Sequence, residues 1–157
     1  MSALDLEGQI SVAEQAMERG GYTGQHHTVP KGHQDDPAYH AAIAPLQQRV
    51  TAFARSAGIE HSVPIRTNDY ELSRAGNPQA MVTAMGSIVT RPQTNDMAIL
   101  HEVAHIATHT QHGVGGHTPE FANTARDLYS RHISPEAGDA FWGVVGHHDL
   151  FNDRRTK

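Results

Sequence analysis

Cysteine is absent from the 157-residue chain. Disulfides, thiolate metal sites and cysteine nucleophiles are thereby excluded, and the absence fits a cytoplasmic protein without requiring one. Aromatic residues are scarce at 6%, and apolar residues reach only 38%. A single domain with one modest core and sizeable polar loops is what this length and composition allow. Positive charge is also short: 12 Lys and Arg stand against 17 Asp and Glu, a net charge of −5. A broad basic surface is therefore not expected, and no nucleic-acid partner with it. The one basic cluster, Arg154, Arg155 and Lys157, reads as a solvated terminus. No run approaches the roughly 18 apolar residues that span a bilayer, so no membrane partner is expected. The first twenty residues lack a basic segment followed by an apolar one, so no signal peptide is expected.

Histidine, by contrast, is abundant. There are 13, and five fall between His101 and His117. Those at 26, 27, 33 and 40 lie in or beside a Gly- and Asp-rich loop and read as solvent-facing rather than as a second metal site.

Periodicity organises the rest. Leu6, Ile10, Ala13 and Met17 form one stripe of a helix over 4–19, stopped by Gly20-Gly21. This helix and the loop 20–36 are expected to be peripheral, with one short strand near Val29. Asp36-Pro37 supplies a cap and a first-turn proline for a helix to about Ala57, burying Ile43, Leu46, Val50, Phe53 and Ala57. Pro45 should kink or split it. Strand signals follow between His61 and Thr90: Ser62–Arg66, then a hairpin of Ala80–Ala84 and Ser87–Thr90 around Met85-Gly86. Thr94 or Asn95 caps a helix from Asp96 to His109 or His112. Thr118-Pro119-Glu120 and Ser134-Pro135-Glu136 open two more, the last reaching about His148.

The third-last of these helices carries His101-Glu102-Val103-Ala104-His105, an H-E-x-x-H motif. Residues four apart share one helix face, so both imidazoles can reach one metal ion. Glu102 is rotated by about 100°, which sets its carboxylate beside the metal, where it can take a proton from water as general base. Zinc (Zn2+) is the metal that suits imidazole ligands and an open coordination position, although other transition metals bind such ligands too.

A catalytic zinc site needs a third protein ligand. His109 and His112 sit too far along a regular helix: eight residues rise about 12 Å, whereas nitrogens sharing a zinc lie about 3–3.5 Å apart. The longer H-E-x-x-H-x-x-G-x-x-H pattern is excluded by Thr108 and Gln111. His117, beyond the chain-reversing Gly113–Gly116 segment, is the better candidate, and Glu120 is the alternative. Asp127 is a candidate for orienting a ligand ring, against a solvated role. Ser87–Thr90 is a candidate for pairing with an extended peptide. Tyr129, Arg126, His147 and His148 are unranked candidates for stabilising an oxyanion, while Phe141 and Trp142 read as core.

With these residues in place, the chain resembles a family of small H-E-x-x-H metallohydrolases of actinobacteria and their phages, and more distantly the SprT-type zincins. The resemblance rests on the hairpin Gln79–Pro92, on His101–His105, on Gly116-His117-Thr118-Pro119-Glu120-Phe121-Ala122, and on Ser134-Pro135-Glu136-Ala137. The family form of the third stretch is G-H-G-P-E-F-A, in which the histidine is taken as the third ligand. Thr118 here replaces its second glycine. The resemblance implies a zincin-like α+β single domain, in which a small sheet with a hairpin packs against the active helix and flanking helices surround it. It implies no particular substrate. The expected function is zinc-dependent hydrolysis of a peptide or protein. A zinc-binding protein without catalysis, and hydrolysis of a different amide, are the competing expectations. Oligomeric state is not legible.

Overall fold

Helix α1 (Leu6–Arg19) forms where the stripe foresaw it, and Leu6, Ile10, Ala13 and Met17 are all buried. Asp5 caps it by accepting from the Gly8 amide at 2.8 Å. The computed structural model describes residues 5–29 and 35–145. Pro30, His33, His147, His148 and the basic cluster at 154–157 lie outside the described residues. Strand β1 (His26–Thr28) follows, then α2 (Pro37–Ser56) with Asp36 as its cap. Pro45 lies inside α2, yet the helix is one element. Pro45 and Ala41, whose carbonyl loses a partner to the proline, are both on the exposed face, where the oxygen is open to solvent. Ile43, Leu46 and Val50 hold the two halves in line by burial on the other face.

Three short strands form the main sheet: β2 (Ile65–Thr67), β3 (Ala80–Val82) and β4 (Ile88–Thr90), in the order β2-β4-β3. The expected hairpin is β3 with β4, antiparallel, Met81 opposite Val89. Between β2 and β3 lies a helix the sequence reading missed, α3 (Asp69–Arg74), capped by Asn68 and pinned by Arg66 to Glu71. Also missed was β5 (Gln93–Asn95), which pairs with β1. The remaining helices are α4 (Asp96–His112), α5 (Pro119–His132) and α6 (Pro135–Val145). Helix dominates, and the whole is a small α+β domain. Its core is one cluster joining α1, α2, α4, α5 and α6 with the inner faces of β2 and β4. No helix among the described residues is long and apolar enough to cross a membrane.

A buried carboxylate ties the β1 loop, α2 and the start of α4 together. Asp96 accepts two bonds from Arg49, both 2.7 Å, one from the Gln25 amide at 2.8 Å, and contacts His27 Nε2 at 2.8 Å. Gly24 makes the approach possible. Its φ is +71°, and a Cβ there would lie 2.6 Å from that of Asp96.

The order of strands corrects one expectation. β4 has neighbours on both sides, so Ser87–Thr90 has no free edge for a peptide. β2 and β3 are the edge strands, and the outward Ile65 and Thr67 amides of β2 are taken by Gln47 and Tyr39 of α2, which leaves β3. Gln79 and Thr83 bond across to Arg91 and Ser87, so by alternation Ala80 and Val82 turn their N–H and C=O groups outward.

Candidate metal centre

Helix α4 begins at Asn95, whose side chain accepts from the Ala98 amide at 2.9 Å. Asn95, rather than Thr94, is therefore the cap. One turn apart on one face, the His101 and His105 rings lie 4.9 Å between centroids. The helix stops at Gly113, whose left-handed φ of 69° starts a reversal completed by Gly116 at 76°. Thr118 then caps α5, its hydroxyl accepting from the Phe121 amide. Its φ of −95° is one that any residue adopts, so the threonine in place of glycine costs the turn nothing. The reversal carries His117 back to 4.9 Å from His105 and 5.2 Å from His101, ring to ring. One nitrogen from each of the three rings lies within 4.8 Å of the others. Glu120 is not part of this group, and His109 and His112 are exposed further along α4. Fully buried Phe121 forms the floor, stacked at 4.3 Å on His105.

The donor set fits a divalent cation. His101 and His117 face each other through Nε2 at 3.2 Å, the spacing of two ligands on one zinc. On its far side, His101 presents Nδ1 to Glu14 Oε2 at 2.6 Å. His117 turns a buried Nδ1 toward Glu7 Oε1 at 3.7 Å. Protons on both Nδ1 atoms leave two Nε2 lone pairs aimed at one another, an arrangement that calls for positive charge between them. Tyr129, wholly buried, donates to the same Glu14 oxygen at 2.5 Å.

Electrostatics in the metal-free protein point the same way. Burial disfavours protonated His101, but the charge and hydrogen bond of Glu14 and the charge of Glu102 outweigh it and lift the imidazole to about 9. Burial, then repulsion from His101 and His117, pushes His105 down to about 3. His117 is also lowered, by burial first and His101 second, against the pull of Glu14 and Glu7. The cluster thus favours one positive charge and resists a second proton. Glu102 is buried, with Oε2 3.9 Å from His101 Nε2. Burial raises it to about 7, opposed by His101 and assisted by Glu14. A carboxylate held in that range can accept and return a proton near neutral pH.

Two open cavities border this centre, each also lined by a residue of β3. One, about 670 Å³, reaches from Gln79 and Ala80 to His101, Glu102 and α1. The other, about 490 Å³, reaches from Val82 and the exposed hairpin tip at Met85 to His105 and Gly115-Gly116.

Glu14, Glu7 and Phe121 were missed as site residues by sequence reasoning. Glu14 lies 87 residues from His101 in sequence, and no local spacing signals that pairing. Asp127, the sequence candidate for orienting a ligand, instead pairs on the surface with Arg131 at 2.5 Å. Among the oxyanion candidates, Tyr129 is committed to Glu14, and burial with Glu14's negative charge raises its phenol well above the usual range. Arg126 lies over the Trp142 ring, 4.6 Å from its centre. His26, Gln79 and Asn95 do line the larger cavity with Glu102. Set against protein-family models, curated proteins and solved structures, the chain matches none.

Proposed function

We propose that this protein is a zinc-dependent hydrolase of zincin-like architecture that cleaves peptide bonds, with His101, His105 and His117 as metal ligands and Glu102 as general base. The observation that carries the reading is the convergence of three imidazoles beside a buried glutamate. The motif resemblance to small actinobacterial and phage metallohydrolases supports it. Zinc at the three histidines would polarise the scissile carbonyl and acidify water. Glu102 takes one proton as the water oxygen bonds to the carbonyl carbon. It returns that proton to the leaving nitrogen as the C–N bond breaks. Low dielectric around Glu102 keeps its affinity for the proton high enough for both transfers.

The free edge of β3 favours an extended polypeptide as substrate. The outward peptide groups of Ala80 and Val82 can pair with a substrate backbone, whose side chains would then enter the two cavities. The test is elemental analysis of purified protein together with a mixed-peptide digest read by mass spectrometry. Near-stoichiometric zinc with defined cleavage supports the proposal. Bound zinc with no cleavage of any peptide or protein would assign the centre to a non-catalytic role.

A further inference from the structure

We infer that α1, rather than capping the fold passively, is a strut that sets metal affinity by holding the outer nitrogens of two ligand rings. This rests on the metal reading above and extends it to an element no motif marks. Glu7 and Glu14 are seven residues apart, two turns along one face of α1. Both point at the same centre: Glu14 at His101 Nδ1, 2.6 Å, and Glu7 at His117 Nδ1, 3.7 Å. The chain's backbone does not supply either partner. α1 packs principally on α6 and reaches the centre through its side chains.

The Glu14 contact is closely held. Its oxygen also accepts from Tyr129 of α5, whose ring is buried against Phe141 of α6 at 5.2 Å between centroids. Three helices thus fix one carboxylate, and that carboxylate fixes the tautomer and plane of one ligand. A carboxylate behind an imidazole also raises its basicity as a ligand. The Glu7 contact is looser, because Glu7 is 76% exposed and His117 Nδ1 has no hydrogen bond. A cation between the Nε2 atoms makes both Nδ1 protons more acidic and strengthens both contacts. Metal binding and docking of α1 are therefore reciprocal: each tightens the other. Glu7 and Glu14 are positioning residues, acting on the metal only through His117 and His101.

The test uses the full chain with Glu14→Gln, Glu7→Gln and the double substitution, each checked for folding by circular dichroism. Zinc affinity is measured by competition with a chromophoric chelator, and amide exchange over residues 6–19 is compared with and without zinc. Glu14→Gln is expected to weaken zinc binding by roughly 10–100-fold, with a smaller loss for Glu7→Gln. Zinc is expected to slow exchange in α1 of the wild type and to lose that effect in the double variant. Wild-type zinc affinity and exchange retained by the folded double variant would overturn the strut alone. A wild-type protein that takes up no zinc would overturn the metal reading and the strut together.

Discussion

Replacing Glu102 with glutamine keeps the side chain's volume and removes its ability to accept a proton. Peptide hydrolysis should fall by roughly 10²–10⁴-fold, with zinc content unchanged. Parallel peptide assays and elemental analysis check this, and equal loss of metal would assign Glu102 a ligand's role instead. Only the ionised carboxylate works as the base, so kcat/KM should fall as pH drops through its pKa. A bound cation sets that pKa below the metal-free value of about 7. The third ligand is a separate matter. His117→Ala should lose most of the zinc after dialysis, whereas Glu120→Ala should retain it, because only His117 joins the converging group. The reverse pattern would transfer the role. His101, Glu102 and His105 were legible in the sequence because a helix turns spacing into geometry. His117 was read as the better of two candidates, since glycines flagged the reversal without fixing where it ends, and its ring is the one that joins His101 and His105.

Among the elements, those with a cap and a stripe were legible. Asn95 and Thr118 each close a helix start through their own side chain. The missed pair, α3 and β5, have neither long stripes nor length. α3 buries only Leu72, and β5 exists because β1, some 70 residues earlier, lies beside it. The packing of α5 on α6 shows how little room an element can leave. A Cβ on Gly138 would lie 2.9 Å from Ser130 Cβ and 1.7 Å from its Oγ. The hydroxyl can rotate away but the Cβ cannot, so Gly138→Ala should cost about 1–3 kcal/mol in urea unfolding. Adding Ser130→Gly should recover part of the loss. An unchanged midpoint for Gly138→Ala would show that the two helices part more easily than their packing implies.

At the scale of the whole molecule, Asp96 is the buried carboxylate among the described residues through which acid should act on stability. Its side chain is 1% exposed, while Arg49 is 30% exposed. Burial raises the carboxyl, but Arg49, His27 and the Gln25 amide together hold it below its ordinary value. The unfolded chain therefore binds the proton more tightly than the folded one. The Asp96 contribution is in place above the ordinary Asp value near 4 and is lost as pH falls through the lower folded value. Asp96→Asn, which leaves Arg49 without its charge partner, should cost about 3 kcal/mol at pH 7. It should also flatten the fall of stability as pH drops below about 4. Urea titrations across that range decide it, and an unaltered slope would place the acid sensitivity elsewhere.

The sequence by itself determined the long helices, their caps, the hairpin and the H-E-x-x-H face, because each depends on contacts within a few residues along the chain. Tertiary structure alone decided that β3 rather than β4 offers the free edge, since strand order depends on β2 inserting beside β4. It also decided that α1, which looked peripheral, stands against the three converging histidines. Glu14 meets His101 because α1 packs on α6 and Tyr129 of α5 is buried against the same carboxylate. Burial and distance between residues far apart in the chain are properties of the packed molecule, and no spacing along the sequence encodes them.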